Sequence, residues 1–123
     1  MVDLVLEELS GEIIGAAMVV LNELKPGLDE KLYERALVLE LHSRGHEVRC
    51  QNRFKVHYRK HYIGTLIPDI IVDDLVLVDT KVVSAFTPNH VAQMVGYLAI
   101  TQKRLALLLN FHEATLRWKR VVR

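Results

Sequence analysis

Asp69 follows Pro68, and ten positions after Asp69 the triplet Asp79-Thr80-Lys81 begins. Both acids sit in apolar surroundings, Ile67-Pro68-Asp69-Ile70 on one side and Leu75-Val76-Leu77-Val78 on the other. On a strand, side chains alternate faces, so Asp79 and Lys81 point the same way. Two carboxylates suit a hard cation such as Mg²⁺ or Mn²⁺, and an adjacent ammonium suits a phosphate or an attacking water. This is the chemistry of phosphodiester cleavage. Taken singly, Asp69 reads as a strand-end turn residue and Asp79-Thr80-Lys81 as an exposed strand end. Taken together, acids in so apolar a stretch need partners, because a buried unpaired charge is costly.

The site carries a geometric condition. If Val72 pairs with Val76 across a three-residue loop, Asp73-Asp74-Leu75, then Asp69 falls opposite Asp79 on one face. A two-residue Asp73-Asp74 loop pairs Asp69 with Val78 and sends the acids to opposite faces. The site therefore requires the odd loop or a bulge, and three-residue loops are common.

The elements that must position these residues are legible from periodicity. Residues 3–24 read as a helix, with Ile13, Ala17, Val20, Leu21 and Leu24 at helical spacing. Gly15-Ala16-Ala17 makes a narrow waist where another backbone can approach. Pro26-Gly27 stops this helix. A second helix runs from about Asp29 to Arg44 and ends at Gly45. Tyr33, Ala36, Leu37, Glu40 and Leu41 form one of its stripes, and Leu32, Val38 and Leu39 make much of the rest apolar too, which predicts burial on two sides or an oligomer contact. Strands are expected over Val48–Tyr58, Tyr62–Val72, Leu75–Val83, Leu105–Leu109 and Thr115–Val122, with a turn at Arg59-Lys60-His61 and a helix from Pro88 to Thr101. The predicted order is α-α-β-β-β-α-β-β, a mixed sheet with helices packed on it, in one domain spanning 1–123 with residues 1–25 as its N-terminal helix.

Composition sets the limits. The chain has 123 residues, half of them apolar, enough for one buried core. The net charge of +1 gives no global attraction to nucleic acid or membrane. Locally, residues 42–61 hold Arg44, Arg49, Arg53, Lys55, Arg59 and Lys60 against Glu47 alone, a surface for a polyanion or a basic hairpin edge that resists aggregation. Cys50 is the one cysteine, so no disulfide framework forms, and a reducing cytoplasm is expected. No apolar run reaches the ~18 residues of a membrane span, and the acidic start lacks the basic region of a signal peptide.

Gly27-Leu28-Asp29-Glu30-Lys31-Leu32-Tyr33 reads G-x-x-E-x-x-Y after an apolar helix. With Pro68-Asp69, Asp79-Thr80-Lys81 and Gln93-x-x-x-Tyr97, the chain resembles the small bacterial GxxExxY proteins of the PD-(D/E)XK nuclease superfamily, from about Ile13 to Val121. The resemblance implies a restriction-endonuclease-like α/β core. It implies that Glu30 is the helix acid, that Asp69 and Asp79 hold Mg²⁺ or Mn²⁺ with the Thr80 backbone oxygen, and that Lys81 orients water and steadies phosphate. Gln93 and Tyr97, at i and i+4, can both look into the site, and Tyr33 lies one turn after Glu30. The family usually has glutamate where this chain has Asp79, which is shorter by one methylene.

The six histidines make no convincing ligand set. His42 and His46 have helical spacing, but Gly45 ends the helix between them. Trp118, on an alternating strand, is expected to face the core. Two functions follow. One is a metal-dependent nuclease whose basic residues Arg49, Arg53, Lys55, Arg59 and Lys60 hold phosphates without a base-reading element. The other is a catalytically weak or inactive protein of the same fold that assembles as a structural homo-oligomer.

Overall fold

The computed structural model describes residues 2–123, so Met1 of the N-terminal segment lies outside the described residues. Helix α1 (Val2–Leu24) turns Leu6, Leu9, Ile13, Ala16, Ala17, Val20 and Leu21 inward. It stops where Lys25 takes a positive φ of 68° and donates its N–H to the Leu21 carbonyl, just before Pro26. Ala16 and Ala17 are fully buried in the molecule's own core, so the small-residue waist is used within the chain.

Helix α2 (Glu30–Ser43) runs back against α1. It ends in a Schellman motif: Gly45 at φ 87° donates to the His42 carbonyl, and His46 donates to that of Leu41. Tyr33, Leu37 and Leu41 face inward, whereas Leu39 is 70% exposed and Leu32 is also exposed. The second apolar side of α2 is therefore uncovered within one chain.

The main sheet has five strands in the order β1-β4-β5-β6-β7. They are β1 (Val48–Cys50), β4 (Ile70–Val72), β5 (Val76–Lys81), β6 (Leu105–Asn110) and β7 (Arg117–Val122). β5 and β6 are parallel and joined through helix α3 (Pro88–Thr101); the other neighbours are antiparallel. As expected for central strands, β5 is buried from Val76 to Thr80 and every residue of β6 is buried. α3 starts with a capping box in which Thr87 and His90 satisfy each other's backbone N–H groups, with Pro88 in the first turn.

The mixed α/β architecture is as the sequence predicts, but two long strands are each broken in two. The expected strand 48–58 breaks at Gln51, which takes φ 57°, giving β1 and then β2 (Phe54–Tyr58). The expected strand 62–72 breaks at Ile67-Pro68-Asp69, giving β3 (His61–Leu66) and then β4. Pro68 has no N–H to give a ladder, so pairing cannot run through it. β2 and β3 separate as a two-stranded sheet of their own. The last strand also starts two residues late, at Arg117. Trp118 is not a core residue: it lies on the edge strand β7 and is 44% exposed.

Two cores flank the main sheet. α1 and α2 cover Ile70, Val72, Val76, Val78, Leu105, Leu107 and Leu109. α3 covers the alternate residues Ile71, Leu77, Ala106 and Leu108 through Met94 and Leu98, with Phe54 of β2 packed beside them. The strand period of two thus assigns every odd-numbered position of β4 and β5 to the α3 side.

Tyr33 ties the first core to the α1–α2 turn. Its ring stacks on Phe111 at 4.8 Å, and its hydroxyl donates to the Lys25 carbonyl and accepts from the Leu28 N–H at 3.1 Å. Tyr33→Phe leaves two turn groups without that partner. It is expected to cost about 1–3 kcal/mol, read as a lower urea midpoint with an unchanged m-value.

Candidate active site at the ends of β4 and β5

Ile70 pairs with Val78, Ile71 with Leu77 and Val72 with Val76. The loop between the strands is therefore Asp73-Asp74-Leu75, three residues long. Asp73 and Asp74 both take positive φ (52° and 59°), which aspartate tolerates better than most residues, and the Leu75 N–H closes the turn on the Val72 carbonyl. Extending the register by one pair sets Asp69 opposite Asp79. Both belong to the α3 side of the sheet.

The carboxyl groups of Asp69 and Asp79 lie within hydrogen-bonding reach of each other. Burial pushes the Asp69 carboxyl up from its ordinary 3.8 to about 7, and contact with Asp79, then the charges of Glu34 and Glu30, push the same way. Lys81 Nζ is 2.9 Å from Asp79 Oδ2. Charge attraction holds this pair, while the approach leaves that buried oxygen without a hydrogen bond among the described residues. Burial alone would lower the Lys81 pKa, but Asp79, Glu30 and Asp69 outweigh it and raise it. The ammonium stays charged beside the acids.

Glu30 comes from the first turn of α2, where a carboxylate also complements the helix dipole. Burial raises its pKa, Lys81 opposes this, and Asp79 and Glu34 add to it. The backbone N–H of Val82, directly after β5, lies close enough to lower the Glu30 pKa. Gln93 and Tyr97 face the site from α3, with Gln93 Nε2 donating to Tyr97 Oη at 3.2 Å. The Tyr97 hydroxyl is raised by burial and then by the charges of Asp79 and Asp69.

The remaining expected residues are placed differently. Tyr33 has its hydroxyl committed to the α1–α2 turn rather than to the carboxylates. The Thr80 side chain is fully buried on the α2 side, the opposite face from Asp79. Any contribution of Thr80 to this site comes from its backbone. Arg49 is exposed on β1 and donates to Glu47 at 3.0 Å, while Arg53, Lys55, Arg59 and Lys60 belong to the separate β2–β3 hairpin or its entry.

Two residues that sequence reasoning missed complete the arrangement. Glu34 is buried one helical turn after Glu30, salt-bridged to Lys31 at 2.8 Å, and its charge reaches Asp69. Its signal was the i, i+4 spacing from Glu30. Asn110 is buried at the end of β6 opposite Lys81. Its side chain donates to the Val83 carbonyl at 2.8 Å and accepts from the Val83 N–H at 3.1 Å. It fixes the segment that presents Lys81 and the Val82 N–H. Nothing in sequence spacing reveals it, because the parallel β5–β6 register creates it.

A family model of the PD-(D/E)XK nuclease superfamily matches residues 7–121. The chain belongs to this superfamily. No curated protein and no solved structure matches it. PD-(D/E)XK nucleases generally use divalent metals. Among the described residues no three His, Cys, Asp or Glu side chains are grouped to hold an ion. The donors present are two carboxylates and strand-end carbonyls, and one Asp79 oxygen has spare bonding capacity. That set fits Mg²⁺, which takes one or two carboxylates and fills its other positions with water and substrate phosphate.

The raised Asp69 pKa fixes a sign. The folded state binds this proton more tightly than the unfolded chain, so its stability contribution is complete below pH ~4 and lost as pH rises through about 7. The melting temperature is expected to fall between pH 5 and pH 8, an interval that contains the folded-state value of about 7. Asp69→Asn flattens the fall, and millimolar Mg²⁺ raises the melting temperature more at pH 8 than at pH 5. Thermal scans of both proteins with and without Mg²⁺ check this, and an unchanged slope in Asp69→Asn would contradict it.

Proposed function

We propose that the protein is a metal-dependent nuclease of the GxxExxY group that hydrolyses nucleic-acid phosphodiester bonds. The observation that carries the reading is the juxtaposition of Asp69 and Asp79 across β4 and β5, with Lys81 2.9 Å from Asp79. Asp69 and Asp79, with the Thr80 backbone carbonyl, would hold Mg²⁺ or Mn²⁺. Such an ion, when bound, polarises a phosphate and lowers the pKa of a coordinated water.

The chain's own groups do the rest. Lys81, kept charged by three acids, sits where it can neutralise charge building on phosphorus. Glu30 adds negative charge that helps keep Lys81 charged. Gln93 and Tyr97 offer donors from the α3 wall to phosphate oxygens. Arg49, Arg53, Lys55, Arg59 and Lys60 hold flanking phosphates, which makes binding sensitive to salt. The lone thiol, Cys50, is exposed, which suits a reducing cytoplasm. No helix among the described residues is long and apolar enough to cross a membrane.

A second reading has its own observation. Leu32 and Leu39 on α2 and Met18 and Val19 on α1 are exposed large apolar side chains. They suit a homo-oligomer contact, with or without catalysis. Mass in solution by light scattering tests it, and a strictly monomeric protein removes it.

Labelled DNA and RNA, single- and double-stranded, incubated with Mg²⁺ or Mn²⁺ test the nuclease. Wild type is expected to cleave, and Asp79→Ala and Lys81→Ala each to lower the rate by at least about 10²-fold. Equal traces in all three proteins would reject the activity.

A further inference from the structure

The β2–β3 hairpin belongs to neither face of the main sheet. Its five pairs run from Phe54↔Leu66 to Tyr58↔His61, with an irregularity at Val56/His57. Its base is anchored through Phe54, which packs half-buried against the core under α3. Its outer end exposes Tyr58, Tyr62 and Ile63, the last at 64%. Between Glu47 and Asp69 the chain contains no acid, while it holds Arg49, Arg53, Lys55, Arg59 and Lys60. The base also lies beside the candidate active site, since Leu66 is three residues before Asp69 and Gln51 donates its N–H to the Asp69 carbonyl.

We propose that this hairpin is an arm that enters the major groove of duplex DNA, with Arg59 and Lys60 at its tip against the backbone. The proposal rests on the nuclease reading and names its substrate class. Two strands about 4.8 Å apart, with side chains, make a ribbon about 10 Å across, and the major groove of B-DNA is ~12 Å wide and admits such a ribbon. The major groove of A-form RNA is deep and narrow and does not. His61 lies eight positions before Asp69. At ~3.3 Å per residue the tip reaches at most about 26 Å from the carboxylates, roughly eight base pairs along one strand.

The side chains favour a duplex over a single strand. Single-strand binders stack bases on open aromatic faces. Here Arg59 lies over the Tyr58 ring at 5.2 Å, His57 meets the Tyr62 ring edge-on, and the Tyr62 hydroxyl bonds Thr65 at 2.7 Å. Arg59, His57 and Thr65 thus each engage one of these exposed rings, and the cations share the outer end with them.

The tip provides a clean test. Arg59 and Lys60 both take positive φ (47° and 69°), a two-residue turn for which Asn-Gly is the preferred sequence. The double variant R59N/K60G therefore keeps the hairpin while removing two charges. Binding is read by fluorescence anisotropy on a labelled DNA duplex, its single strand and the corresponding RNA duplex, with Ca²⁺ replacing Mg²⁺. Wild type is expected to prefer the DNA duplex. R59N/K60G should weaken that binding about tenfold and lower the slope of log K against log salt by about two, with Lys55→Gln lowering it by about one. Unchanged affinity and slope in R59N/K60G, or equal losses on all three ligands, would overturn the arm. So would an absence of wild-type binding at low salt. Mg²⁺-dependent cleavage by the same wild-type protein reports on the nuclease separately: an arm that fails beside retained cleavage leaves the nuclease standing, and a confirmed arm without cleavage removes the nuclease alone.

Discussion

The register of β4 on β5 is the constraint on which this structure depends. A strand slip of one residue turns every side chain to the other face. Here it would send Asp69 away from Asp79 and move Ile71 and Leu77 out from under α3. The loop Asp73-Asp74-Leu75 holds the register, and Asp73 is itself held. Its carboxylate accepts from the Glu47 N–H at 2.8 Å and meets His46 Nδ1 at 2.7 Å, and its own N–H donates to the Glu47 carbonyl. One aspartate thus joins the start of β1 to the turn between β4 and β5. The same residues that keep the two apolar cores on their proper sides keep the acids together.

Around those acids the balance of charge is uneven. Glu30, Glu34, Asp69 and Asp79 converge, with Lys81 and Lys31 as the near cations. Bringing like charges near one another, two of them buried (Glu34 and Asp79), is unfavourable. The fold accommodates them by raising Asp69 toward neutrality and by holding Lys81 within ion-pair distance. Such an arrangement costs stability, so the surrounding structure must over-determine it. β5 and β6 are buried along nearly their whole length, and Asn110 clamps the segment after Lys81.

Two surfaces are left over once the cores are filled. The β2–β3 hairpin stands outside the main sheet because Pro68 and Gln51 break both strands at its base. Its exposed cations also protect its open edges from pairing with other chains. The outer side of α2, with Leu32 and Leu39, has no cover in one chain. The first surface is charged and the second is apolar.

The sequence by itself determined most of the elements and the superfamily. Helical spacing placed α1, α2 and α3 within a few residues, because tertiary packing follows the apolar stripe that the spacing reveals. The proline-aspartate and Asp79-Thr80-Lys81 pairings pointed to the candidate site because few structures tolerate those charges in so apolar a stretch. Their register could be stated only as a condition, since a two- and a three-residue loop were both compatible with Asp73-Asp74. Tertiary structure decided that, through contacts from Glu47 and His46, more than twenty residues away in sequence. It also decided the splitting of two apparent strands and the outward position of Trp118 on an edge that alternation could not identify. The binding of Tyr33 to a turn and the service of Asn110 to Lys81 likewise depend on neighbours that only folding brings together. Local periodicity reports which face a residue shares; it does not report what stands opposite.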